Sequence, residues 1–64
     1  MTLSEYLQAN GLRQEEFAAR MGVAQATVSR WCNGLMPRRA HLLRIIELTG
    51  GAVTAEAFLE DRAA

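Results

Sequence analysis

The sequence predicts an all-α domain, a compact five-helix bundle containing a helix-turn-helix. Three observations lead there. Eleven alanines and eight leucines among 64 residues are strong helix formers. No stretch alternates apolar and polar residues for long enough to read as a strand. Glycines at 11, 22, 34 and 50–51 punctuate the chain at helix-length intervals. Glycine is the residue a chain uses just past a helix C-terminus, where the backbone turns through positive φ.

Taken in order, helix 1 covers residues 3–10. Thr2 and Glu5 form the T-x-x-E capping signature, and Leu3, Tyr6 and Leu7 make its apolar stripe. Helix 2 covers 14–21, with Phe17, Ala18 and Met21 on one face. Helix 3 covers 25–33, with Val28, Trp31 and Cys32 inward. Helix 4 covers 38–49 behind Pro37, with Leu42, Leu43, Ile45, Ile46 and Thr49. Helix 5 is short, 55–61, capped by Thr54, with Phe58 and Leu59 inward. Connections of two to four residues suit a small helical bundle. Residues 1–64 read as one domain, with the helix-turn-helix at about 14–33.

Composition excludes several classes. One cysteine cannot form an internal disulfide, and Cys32 with His41 alone cannot build a structural zinc site. No cofactor motif is present. No apolar run approaches the roughly 18 residues of a membrane span. The first residues lack the basic-then-apolar pattern of a signal peptide, so a cytoplasmic location is expected. Cys32 and His41 fall on different helices with no third group to orient them, which argues against nucleophilic catalysis and against an enzyme. Cys32 on an inward face reads as inert, His41 as a surface residue, and Trp31 as core rather than a stacking platform for bases.

Net charge is zero, but its distribution is uneven. Residues 13–44 carry six arginines and two acids, whereas 1–12 carry one acid and 45–64 carry four acids and one arginine. A basic middle between acidic ends hints at a polyanionic partner.

The stretch 12–34, LRQEEFAARMGVAQATVSRWCNG, carries the functional signal. Two short helices meet at Gly22-Val23-Ala24, a turn of the length and composition that helix-turn-helix units use. At 100° per residue, helix 3 turns Ala26, Ser29, Arg30 and Asn33 away from Val28, Trp31 and Cys32, with Gln25 and Thr27 on the flanks. That outer face is small, polar or cationic and bears no acid. Arginine can bond guanine at two points and glutamine can bond adenine, while Ala26 or the Thr27 methyl can touch a thymine methyl. Helix starts favour acids, yet Arg13 stands at the start of helix 2 and Arg38–Arg39 at the start of helix 4. Rules of this kind are broken where function requires it, and the N–H groups of a helix start bind phosphate.

These residues resemble the helix-turn-helix of the phage Cro/repressor (XRE-like) family, and especially the small Cro-like regulators of the YdaS type. The resemblance rests on Leu12, Gln14, Ala18, Met21-Gly22-Val23, Gln25, Thr27-Val28-Ser29-Arg30-Trp31 and Asn33-Gly34. Thr49–Gly51 and Val53–Phe58 extend it over nearly the whole chain. It implies a lambda repressor-like fold of five helices in which helix 3 reads bases. It also implies that Gln14 and Asn33 hold phosphates. The chain departs from the family at Arg13 and Ala24, where serine or threonine is usual.

The expected function is therefore sequence-specific binding of double-stranded DNA, as a Cro-like repressor occupying an operator, phage or prophage in kind. The expected base contacts are Gln25, Ala26, Thr27, Ser29 and Arg30. The expected backbone contacts are Arg13, Gln14, Asn33, Arg38 and Arg39. A protein-interaction module of the same fold, an antitoxin or adaptor, is the alternative. A weak homodimer promoted by a palindromic operator is also expected, because one helix contacts few base pairs and the acidic or small residues Glu56, Glu60, Asp61, Ala63 and Ala64 offer little apolar area for pairing.

Overall fold

The computed structural model describes residues 1–63, with side chains described as far as Leu59. The described residues form α1 (Leu3–Ala9), α2 (Gln14–Met21), α3 (Gln25–Cys32), α4 (Arg39–Leu48) and α5 (Ala55–Ala63). The order is the expected one, and boundaries move by one or two residues. Asn10, Asn33, Arg38 and Thr49, expected as helical ends, are caps instead. Among the described residues, no helix is long and apolar enough to cross a membrane.

Short helices gain little from their own hydrogen bonds, so closure of their ends matters. α1 opens on a complete capping box. Glu5 N–H donates to Thr2 Oγ1 at 3.1 Å, and Thr2 N–H donates to Glu5 Oε1 at 2.8 Å. Hydrogen bonds from the Thr2 main chain, and next from its side chain, hold the Glu5 carboxyl below the usual glutamate range.

α1 to α4 all close in one way. Two N–H groups just past the helix reach back to its last turn, as in Leu12 N–H to Leu7 O at 2.9 Å and Gly11 N–H to Gln8 O at 3.3 Å. The bond that reaches back five residues recurs as Val23 to Ala18, Leu35 to Arg30 and Gly51 to Ile46, each 2.9–3.0 Å. This is the Schellman closure.

The core lies between the helices and is apolar. Leu3, Leu7, Phe17, Ala18, Val28, Trp31, Ile45, Val53, Ala57 and Phe58 are buried. α3 packs chiefly on α2 and also touches α1, while α2 touches α4. Thr49 is the buried polar residue. Its hydroxyl donates to Ile45 O at 2.8 Å and accepts Val53 N–H at 3.2 Å, tying the end of α4 to the loop before α5. With both capacities used, its burial carries no unmet hydrogen bond.

Three assignments change, those of Leu59, His41 and Cys32. Leu59 is 53% exposed and Leu43 is 56% exposed, while Phe58 is fully buried. A helix turns about 100° per residue, so Leu59 lies about 100° from Phe58 and Leu43 lies about 200° from Ile45, and only one large side chain of each pair reaches the centre of the core. Phe58 and Ile45 take the central positions, and Leu59 and Leu43 turn outward. His41, expected on the surface, is half-buried, its ring centroid 5.3 Å from that of Trp31 at a tilt of 57°. Cys32 is half-buried rather than fully inward. Glu56 is exposed as expected, and the side chains of Glu60, Asp61, Ala63 and Ala64 lie outside the described residues.

Trp31→Ala is expected to destabilise the fold by about 3–5 kcal/mol in urea denaturation. Leu59→Ala, at an exposed site, is expected to stay within about 0.5 kcal/mol.

Glu5 gives a pH prediction. Its native pKa lies below its unfolded value, so its contribution is full above the unfolded value and is lost as pH falls through the native one. Urea denaturation at a series of acidic pH values is expected to show a smaller loss of stability in Glu5→Gln than in the parent.

Candidate nucleic-acid interface

α2 and α3 are joined by Gly22, Val23 and Ala24. Gly22 has φ +73°, in the left-handed region that favours glycine. Its N–H bonds to Ala19 O at 3.3 Å and the Val23 N–H to Ala18 O at 3.0 Å, which fixes the reversal. Val23 is half-buried and packs against the core, and Ala18 is buried, as the turn sequence suggests. The turn therefore determines where α3 starts and which face it presents.

α3 buries Val28 and Trp31 on its back. Gln25, Ala26, Arg30 and Asn33 are exposed, whereas Thr27 and Ser29 are half-buried. Four of the six residues expected at bases or phosphates on this segment are thus exposed, and Ser29 sits nearer the flank than its helical angle suggests. Asn33 caps α3 through its own N–H, which bonds to Ser29 O and Arg30 O at 3.1 Å each.

The helix starts divide sharply. α3 begins at Ala24 and α4 at Arg38, neither with a side-chain cap. At α2 only the returning half of a capping box exists, Arg13 N–H to Glu16 Oε1 at 3.0 Å, because a guanidinium has no acceptor to offer. Gln14 is half-buried as the first residue of α2, and Arg38 and Arg39 are exposed at the start of α4.

Charge pairing separates the arginines further. Arg13 lies 3.5 Å from Glu15, and Arg44 lies 2.9 Å from Glu47, both pairs solvent-exposed and worth little. Among the described residues, Arg20, Arg30, Arg38 and Arg39 have no carboxylate partner. They fall within residues 17–46, a stretch without a single Asp or Glu. Unbalanced cations of this density attract a polyanion.

Residues not foreseen at this face are Leu35 and, as a lining residue, Met36. With Arg30, Asn33 and Gly34 they line an open cleft of about 550 Å³ at the end of α3. The signal was the apolar pair directly after Asn33-Gly34, which reads as an ordinary loop until the closure of α3 is seen.

Residues 3–54 match the helix-turn-helix family. The chain belongs to that family, of the XRE/Cro-like kind. Membership carries DNA binding and the lambda repressor-like fold, and the family is not an enzymatic one. No curated protein and no solved structure gives a significant match. No group of three His, Cys, Asp or Glu able to hold a metal occurs among the described residues.

Gly22→Ala is expected to destabilise by about 1–2 kcal/mol, the cost of a left-handed conformation for a residue with a Cβ. A Cβ at Gly22 would meet nothing within 4 Å, so this cost is conformational and not steric. Thermal denaturation measures it. A variant as stable as the parent would show that the turn tolerates another geometry.

Proposed function

We propose that the protein is a Cro-like transcriptional repressor of the YdaS type, which occupies a palindromic operator and excludes polymerase sterically. The observation that carries this reading is the set of arginines around the outer face of α3 that have no carboxylate partner among the described residues. Arg30 stands on that face and Arg38–Arg39 stand beyond it, with no carboxylate between residues 17 and 46. Residues 1–64 act as one DNA-binding domain, in a cytoplasmic setting and without a cofactor.

In this reading α3 lies in the major groove. Gln25, Ala26, Thr27, Ser29 and Arg30 face base edges, Arg30 as the bidentate partner of a guanine. Arg13, Gln14, Asn33, Arg38 and Arg39 hold phosphates on either side. Arg13 must leave Glu15 to do so, which costs little in an exposed pair. Two copies bind one palindrome, since one helix reads too few base pairs to select a genomic site, with recognition helices about 34–36 Å apart. Pairing without DNA is weak. Leu59, which the sequence argument had placed inside the core, is exposed together with Leu43, and the two add apolar area for pairing.

Selection of bound sites from random duplex DNA, followed by variant binding, tests the reading. The parent is expected to enrich a palindrome and to bind it with two copies per duplex. Arg30→Ala is expected to cost about 1–3 kcal/mol and to relax preference at one position of each half-site. Arg38→Ala is expected to weaken all sequences alike and to lower the salt slope by about one phosphate. Enrichment of no sequence, with retention on heparin lost as well, would favour a protein-interaction module instead.

A further inference from the structure

The end of α3 exposes an apolar residue where the preceding helices pack one, half-buried, against the core. In α1 and α2 the residue whose closing bond reaches back five residues is Leu12 or Val23, half-buried and packed on the core. In α3 that residue is Leu35, and it is 53% exposed. Its N–H bonds to Arg30 O at 3.0 Å. In this type of helix end the residue after the glycine is placed beside the residue whose carbonyl accepts its bond, which here is Arg30. The main chain therefore holds Leu35 beside Arg30 without burying it. Both line the open cleft at the end of α3 together with Asn33. Met36 is half-buried against the core, so Leu35 is the apolar side chain left exposed there.

We propose that Leu35 is a specificity-determining residue that contacts the 5-methyl group of a thymine beside the base read by Arg30. The inference rests on the DNA reading above. The major-groove edges of the bases offer hydrogen-bond donors, acceptors and one apolar group, the thymine methyl. An apolar side chain anchored next to a base-reading arginine has that methyl as its complementary partner. Cytosine in the same place lacks the methyl and presents an amino group, so the contact discriminates between the two pyrimidines. No acid in residues 17–46 repels the phosphates that border the cleft.

The test uses the full chain and the duplex selected above, with each thymine replaced singly by deoxyuridine, which removes only the methyl. The parent is expected to lose about fourfold in affinity at one thymine per half-site, adjacent to the position relaxed in Arg30→Ala; this is the worth of one buried methylene. Leu35→Ala is expected to bind the thymine duplex about fourfold more weakly and to be indifferent to deoxyuridine at that position. Thymines sensed through Ala26 or Thr27 keep their effect in this variant. Thermal denaturation of Leu35→Ala is expected to match the parent, since the residue is exposed. Equal sensitivity to deoxyuridine in the parent and Leu35→Ala would overturn the role of Leu35 while leaving sequence-specific binding intact. A parent that selects no sequence would overturn the DNA reading and this inference together.

Discussion

Gly22 and Val23 N–H groups turn back onto Ala19 and Ala18, and the rest of the molecule depends on reversals of that kind. Helices of seven to ten residues are marginal alone, and each unsatisfied carbonyl at their ends adds to the cost. The same pair of bonds at the ends of α1 to α4 satisfies those groups and redirects the chain within a few residues. The redirected chain then returns an apolar residue to the core, Leu12 after α1 and Val23 after α2. Chain reversal and core formation are one event in this fold, which is how so short a sequence assembles a core.

The core in turn gives α3 its two faces. Val28 and Trp31 hold its back against α2 and α1, and the Trp31 ring lies against His41 of α4. With the back fixed, the helix cannot rotate without exposing Trp31. The front then presents Gln25, Ala26 and Arg30 as a set with constant geometry. Under the proposed function this constancy matters, because a bidentate hydrogen bond to a base tolerates little rotation of the helix that bears it.

Much of this was legible in the sequence. Glycine spacing located the helix ends because the left-handed turn has a strong residue preference, and the apolar pattern placed Phe17, Val28, Trp31 and Phe58 in the core. The departures have a common origin. Leu42-Leu43 and Phe58-Leu59 are adjacent apolar pairs, and periodicity alone does not say which member faces inward. That depends on the rotation of α4 and α5, which tertiary packing sets. His41 was missed because its contact partner, Trp31, is ten residues away on another helix. Thr49 was placed in the α4 stripe, but its role in bonding the α5 loop depends on Val53 returning to it. For the interface, outward residue types were legible, while the unpaired state of Arg20, Arg30, Arg38 and Arg39 required knowing where the carboxylates lie.

The contrast among helix starts has a physical explanation under the proposed function. α1, whose residues have no assigned contact with DNA, has a complete capping box. α3 and α4 have no side-chain acceptor at their starts, and α2 has half of a box. A serine or aspartate at Ala24 would add about 1 kcal/mol to the stability of α3. It would also occupy the N–H groups at the start of the helix, and an aspartate would place negative charge beside a bound phosphate. Arginine at Arg38 cannot accept those N–H groups, but it adds positive charge to the partial charge already present. The fold thus forgoes local stability at the starts of α3 and α4, assigned to DNA, and keeps it at the start of α1. That division is expected when an external anion, and not a side chain, completes the cap.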